Sequence, residues 1–282
     1  MDGNGTITVR RKTMTIHKGK VNSRQLANLF HTVLLAEGYT EHSSEIGTDG
    51  RVYRSPSVNG EDLFFIQLKD LKGFSFQVGV YEMYTANATH GLPGTFLNGV
   101  IGSNSIIWNA GNTADRMDVS YVINVTKERM IVYVEGQRAE TGFMNSLTYL
   151  GLPKRSSSND KFGTFAGIAN TAYGNYSVTN TFHALRNRPG TPAFPYNLDF
   201  YMPKRSYGWG GRLFFSPIFI GSKVEGTRGI LDGILIAEKT DALAEISHGD
   251  TFPYDGKNYM LIVPTVYGNG TLNTANDYLI EI

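Results

Sequence analysis

The residues able to do chemistry in this chain are scattered rather than grouped. Its 282 residues include six histidines, at 17, 31, 42, 90, 183 and 248, and no cysteine. No two histidines stand in a His-x-x-x-His or His-Glu-x-x-His spacing, which would put two metal ligands on one helix face. His31 borders an apolar helical stripe, where a structural role is expected because a metal would need further ligands close by. His248 and Asp250 flank Gly249 just ahead of a predicted strand, where a Gly-Asp turn is expected anyway. Without cysteine there is no disulfide, zinc-thiolate site or thiol nucleophile.

The other common signatures are missing too. No Gly-x-x-x-x-Gly-Lys-Ser/Thr phosphate loop occurs. Gly208-Trp209-Gly210-Gly211 and Gly268-Asn269-Gly270 lack the third spaced glycine and the strand-then-helix setting of a dinucleotide site, and they are read as turns. The nearest approach to a nucleophile elbow, Gly73-Phe74-Ser75-Phe76, sits in an alternating strand. Asp232, Glu238 and Asp241 have no meaningful spacing. A carboxylate pair for glycoside hydrolysis can be drawn from distant parts of a chain, so that one activity stays open. The expectation is no catalytic residue, no cofactor and no required metal.

Charge narrows the partners. The 26 basic residues offset 25 acidic ones for a net +1, without the clustered basic surface that phosphate binding needs. The basic run Arg10-Arg11-Lys12 fits a solvated edge strand or a contact to nucleic acid or an acidic partner. No apolar run reaches membrane-spanning length, and Met1-Asp2-Gly3-Asn4-Gly5 lacks the charged and apolar regions of a signal peptide. Synthesis in a cytoplasm is expected, and sequons such as Asn87-Ala88-Thr89 then carry little meaning.

The elements that must position these residues are mostly strands. Glycine numbers 32, and tyrosine and phenylalanine 16 each, a composition of short strands joined by many turns. Residues 6–18 alternate loosely through Ile7, Val9, Met14 and Ile16. One amphipathic helix is predicted over about 22–38. Asn22 is placed to cap it, Gln25 to complete a capping box, and Gly38 to end it. Its apolar face is Leu26, Leu29, Phe30, Val33 and Leu34.

Thr48–Arg51 is expected to turn at Asp49-Gly50, and strands are expected at Leu63–Leu68 and Phe74–Tyr81. A Gly/Asn/Thr loop carrying Trp108 is expected over about 85–115. The clearest hairpin spans 117–134. Met117, Val119, Tyr121, Ile123 and Val125 give it a buried face, and Asp118, Ser120 and Asn124 a polar one. It turns at Thr126–Arg129, and Leu147–Leu150 is expected to add a strand. Lys154–Lys161 reads as a solvent-facing loop, residues 162–200 as irregular, and Phe252–Val263 as a hairpin turning at Asp255-Gly256. No repeat of fixed period occurs. The expected fold is mainly β: β-sandwich-like, of short antiparallel strands, with one principal amphipathic helix near the N-terminus. Residues 1–282 are expected to form one compact unit, with a division into 1–153 and 154–282 as the alternative.

The stretch Gly208–Ala237 reads as a strand, a turn dense in glycine and charge, and a second strand. It closely resembles a segment of structural proteins of tailed bacteriophages, in which a Ser-Pro-Ile-aromatic strand (here Ser216–Phe219) and a Gly-rich turn precede a short strand. Tyr121–Pro153 resembles the same family: a strand, Asn124-Val125, a charged turn, a β-branched strand ending in Glu135-Gly136, then Tyr149-Leu150-Gly151. The resemblance covers chiefly 117–153 and 209–263, and the chain departs from it at 85–115 and 187–203. It implies a non-enzymatic subunit of a phage tail, neck or baseplate. Such a subunit assembles into a ring or complex with copies of itself and with other virion structural proteins, with no membrane and no specific nucleic-acid binding.

The segments at about 85–115 and 187–211 combine flexibility with large rings, namely Trp108, Phe194, Tyr196, Tyr201, Tyr207 and Trp209. Such rings would leave apolar area in water in a protein working alone, so these residues are expected at subunit contacts, with Trp209 as the anchor. Two alternatives stand beside this. The loops can fold back and bury the rings in their own domain, or Tyr196, Tyr201, Tyr207 and Trp209 can stack on sugars in a carbohydrate- or host-surface-binding module at a tail tip.

Overall fold

A strand with one wet face alternates apolar and polar residues, but Met130-Ile131-Val132-Tyr133-Val134 is apolar throughout, so both its faces need cover. The computed structural model of the protein supplies both covers. It describes residues 15–22, 25–43, 50–56, 64–71, 75–81, 100–109, 118–138, 142–156, 165–171, 179–183, 207–209, 213–222, 226–239, 246–263 and 277–282. The run lies in β8 (Arg129–Arg138), within an antiparallel six-stranded sheet. That sheet is ordered β1 (Thr15–Asn22), β7 (Asp118–Val125), β8, β9 (Gly142–Gly151), β11 (Phe165–Thr171) and β12 (Thr179–His183).

Met130, Val132 and Val134 point to one side, with Val119, Ile123, Val125 and Leu150. They meet the helix α1 (Leu26–Ala36) and Tyr53, Phe64, Ile66 and Leu68, which belong to or adjoin a five-stranded sheet. That sheet is β2 (Thr40–Ser43), β3 (Gly50–Arg54), β4 (Phe65–Leu71), β5 (Ser75–Tyr81) and β6 (Val100–Asn109).

Ile131 and Tyr133 point the other way, with Leu147 and Tyr149, onto Ile218, Leu231, Ile234, Met260, Ile262, Tyr278 and Ile280. These belong to a seven-stranded sheet ordered β13 (Tyr207–Trp209), β14 (Leu213–Ser222), β15 (Gly226–Lys239), β18 (Asp277–Glu281), β17 (Lys257–Ile262) and β16 (Thr251–Tyr254). Its seventh strand, β10 (Lys154–Arg155), pairs with β15. The register aligns Leu235, Leu279 and Leu261 in one row, and these face a third apolar cluster with Phe215, Phe252 and Tyr259. The molecule is therefore mainly β: two stacked antiparallel sheets form a sandwich, and a layer of helix and small sheet covers the far side of the first.

The helix keeps its predicted apolar face. Leu26, Phe30, Val33 and Leu34 are buried, and Leu29 packs partly buried against them. Its start is corrected. Asn22 is held extended by pairing with Asp118 across β1 and β7, so it cannot cap; the capping position is Gln25, whose side chain makes no cap bond. The end is as expected. Gly38 adopts a φ of 85°, its N–H donates to the Leu35 carbonyl at 3.0 Å, and Tyr39 N–H donates to the Leu34 carbonyl at 3.0 Å, a Schellman closure. Tyr39 then reaches the β7–β8 turn, where its hydroxyl donates to the Thr126 carbonyl at 2.8 Å.

The hairpins at 118–134 and 251–262 form where the sequence puts them, the second turning at Asp255 (φ 48°) and Gly256 (φ 71°). Four other expectations are corrected. The presumed loop at 85–115 contains the ten-residue strand β6, set by pairing with β5 despite its Gly, Ser and Asn content. Residues 162–200 contain β11 and β12, which extend the sheet beyond β9. Lys154 and Arg155 pair with Ile230 and Gly229 instead of opening the solvent loop. The expected polar face of the 117–134 hairpin is buried in part: Asn124 is only 1% exposed, because the second sheet covers that side. The turn expected at 48–51 has Gly50 and Arg51 in β3, and residues 44–49 lie outside the described residues.

Candidate functional site

Among the described residues, the buried charges Arg129 and Glu281 meet between the two large sheets. The turn after β7 brings the chain back at Arg129, with Thr126 N–H donating to the Arg129 carbonyl at 2.8 Å and Glu128 N–H to the Thr126 hydroxyl at 3.2 Å. Arg129 opens β8 on the face shared with Ile131 and Tyr133, so its side chain enters the sandwich, where it is 3% exposed. A buried guanidinium must be paired. Its Nη1 donates to Asn124 Oδ1 at 2.9 Å, and its Nη2 to Glu281 Oε2 at 2.7 Å and to Asp232 Oδ2 at 3.2 Å. Lys257 adds a second cation, with Nζ 3.0 Å from Glu281 Oε2 and 3.4 Å from Asp232 Oδ1. Asn124 completes the bridge by donating from Nδ2 to the Glu281 carbonyl at 2.8 Å.

The backbone makes room for this cluster. Gly233 has a φ of 80°, and a Cβ there would lie 2.3 Å from Arg129 Nη2 and 2.7 Å from its Cζ. The guanidinium thus lies directly on the Gly233 main chain, and glycine serves both the conformation and the contact.

Arg129 and Lys257 face the two carboxylates of Asp232 and Glu281, and Lys154 adds a further positive charge near Asp232. Burial alone would raise the Asp232 carboxyl, but Arg129 and then Lys257 outweigh it and hold its pKa below the usual aspartate range. Asp232 is therefore an anion at neutral pH and has no proton to give as a general acid. Arg129 Nε is buried with no hydrogen-bond partner among the described residues. The chemistry the arrangement performs is cross-sheet pairing: Asn124 and Arg129 of the six-stranded sheet bind Asp232, Lys257 and Glu281 of the seven-stranded one.

The three histidines whose side chains are described, His17, His31 and His248, do not converge. His31 Nδ1 lies 2.8 Å from the Tyr53 hydroxyl, joining α1 to β3. His17 Nε2 lies 4.0 Å from Glu37 Oε1. His248 and Asp250 are engaged separately: Asp250 Oδ2 accepts from Ser247 N–H at 2.7 Å, and His248 Nδ1 accepts from Val263 N–H at 3.2 Å. No group of three or more His, Cys, Asp or Glu able to hold a metal ion occurs among the described residues. His42 and His183 are in β2 and β12, and His90 lies outside the described residues.

Of the residues predicted at partner contacts, Trp108 lies in β6 opposite Phe76. Tyr207 and Trp209 lie in β13, the edge of the seven-stranded sheet, opposite Phe215 and Leu213. Phe194, Tyr196 and Tyr201 lie outside the described residues. Of the three acids noted in the sequence, Asp232 joins the ion cluster, Glu238 pairs with Phe214 in the β14–β15 ladder, and Asp241 lies outside the described residues. Sequence reasoning missed Asn124, Arg129, Lys257 and Glu281. A signal was present for two of them: Arg129 abuts a five-residue apolar run, and Glu281 stands between Ile280 and Ile282.

Among known proteins, no family model, no curated protein and no solved structure matches the chain. No helix among the described residues is long and apolar enough to cross a membrane.

Proposed function

We propose that this chain is a non-enzymatic structural subunit of a tailed-bacteriophage virion, in the tail, neck or baseplate. It is made in the host cytoplasm and assembles with copies of itself and with other virion proteins. One observation carries the reading. The two stretches that resemble phage structural proteins, 117–153 and 209–263, supply the facing strands of the sandwich, and the ion cluster joins them through Arg129 in one and Asp232 and Lys257 in the other. The resembling segments are thus one packed unit and not two isolated likenesses.

The second reading, a carbohydrate- or host-surface-binding module at a tail tip, draws on Tyr207 and Trp209 at a sheet edge. Sedimentation and electron microscopy of the purified chain, alone and mixed with tail particles, separate the two. Rings or incorporation into particles support the structural role. A monomer that binds host cell wall saturably, and never enters particles, overturns it in favour of the second.

A further inference from the structure

Residues 246–250 form the turn that leads into β16, and it is stitched to the end of β17. Gly249 N–H donates to the Leu261 carbonyl at 2.8 Å, and Leu261 N–H donates to the Asp250 carbonyl at 2.8 Å. Two residues further on, a side chain replaces the main chain as acceptor: Val263 N–H donates to His248 Nδ1 at 3.2 Å. An imidazole nitrogen accepts only while it carries no proton, so the ring proton here is on Nε2. That nitrogen faces the other sheet, 3.7 Å from Glu135 Oε2 on β8. The ring also leans on Tyr133, with centroids 5.6 Å apart.

Among the described residues, the charged and titratable groups near the ring are Glu135, Tyr133 and Asp250. Glu135 Oε2 accepts from the Tyr133 hydroxyl at 2.7 Å, and burial, reinforced by Glu135, raises the Tyr133 pKa so that the hydroxyl remains a donor. Asp250, the charged group within the turn itself, is occupied by Ser247 N–H.

We propose that protonation of His248 breaks its bond to Val263 and pairs the ring with Glu135, so that the 246–250 turn, still held to β17 by its two main-chain bonds to Leu261, gains a tie to β8. A second ring proton must sit on Nδ1, where it would point at the Val263 N–H, and two donors cannot share a hydrogen bond. The same proton makes the ring a cation within ion-pair distance of the Glu135 carboxylate. The two side chains are 35% and 22% exposed, so water screens their attraction only in part. Histidine is the side chain whose charge ordinarily changes between about pH 5 and 8.

Amide hydrogen exchange of the full chain, corrected for the intrinsic pH dependence of exchange, tests this. Protection of the Val263 amide should fall about tenfold from pH 8 to pH 5, as expected for loss of one hydrogen bond. The Leu279 amide, central in the same sheet, should stay protected. In His248→Gln, whose amide oxygen accepts at either pH, Val263 should remain protected throughout. In Glu135→Gln, the loss should move to lower pH, because the imidazolium has lost its counter-charge. Unchanged wild-type protection, the same loss in His248→Gln, an unshifted transition in Glu135→Gln, or a parallel loss at Leu279 would each overturn the proposal.

Discussion

Toward α1, β8 presents Met130, Val132 and Val134 to an apolar cluster, whereas toward the seven-stranded sheet it presents Ile131 and Tyr133 between two charged groups, Arg129 and Glu135. The first face adheres through apolar contact, which is strong but has no direction. The second adds bonds with fixed donors and acceptors, so the sandwich is set in position as well as held together. One strand thus separates two tasks, adhesion on one side and alignment on the other.

The adhesive side breaks most severely. Val33 is 2% exposed on α1, and Val33→Asp would force a charge into the apolar cluster at a penalty of several kcal/mol. We expect loss of cooperative thermal unfolding or no folded protein, with a smaller loss for Leu29→Asp, whose site is only partly buried. A wild-type melting curve for Val33→Asp would mean that the helix does not pack on β8.

On the aligning side, Arg129→Met leaves Glu281 buried with Lys257 as its remaining cation, a loss of about 3–5 kcal/mol in urea unfolding. Replacing both partners, Arg129→Met with Glu281→Leu, should recover most of that loss, since apolar substitutes of similar volume often match a buried pair. The comparison is sharpened if the double variant is stable yet its sheets exchange amide hydrogens faster.

Gly233→Ala is next in size. A side chain at a φ of 80° carries strain of about 1–3 kcal/mol, and the guanidinium must also move from a Cβ 2.3 Å away. In the Arg129→Met background only the strain should remain, so a double-mutant cycle should show coupling. Additive losses would separate Gly233 from the cluster.

The smallest effect is on pH. The folded-state pKa of Asp232 is depressed, so its contribution is present above the unfolded value of about 4 and disappears as pH falls through the folded one. Stability measured from pH 6 to pH 2 should fall less steeply in Asp232→Asn. The difference should be small, because the side chain is 37% exposed and partly screened.

The sequence displayed the adhesive side better than the aligning one. Leu26, Phe30, Val33 and Leu34 repeat at helical spacing, and burial follows directly from that period. The unbroken Met130–Val134 run carried the further fact that β8 is covered twice. Alternation places Asn124 on a polar face because it gives parity and not what lies beyond each face. The ion cluster was out of reach for another reason: Arg129 and Glu281 are 152 residues apart, and no local pattern pairs them. β6, β11 and β12 were obscured because Gly, Ser, Asn and Ala weaken the strand signal, while pairing with neighbours supplies the order.

The position of β18 has a consequence for how the protein is made. It lies between β15 and β17, yet it is synthesised after both. On a translating ribosome those two strands must wait, exposed along their inner edges, for residues 277–281 to emerge. At about 5–20 residues per second that interval lasts on the order of one to four seconds after β17. Arg129, made long before, waits still longer for Glu281, which arrives with the same strand. The salt cluster can therefore join the two sheets only once the strand between β15 and β17 is in place.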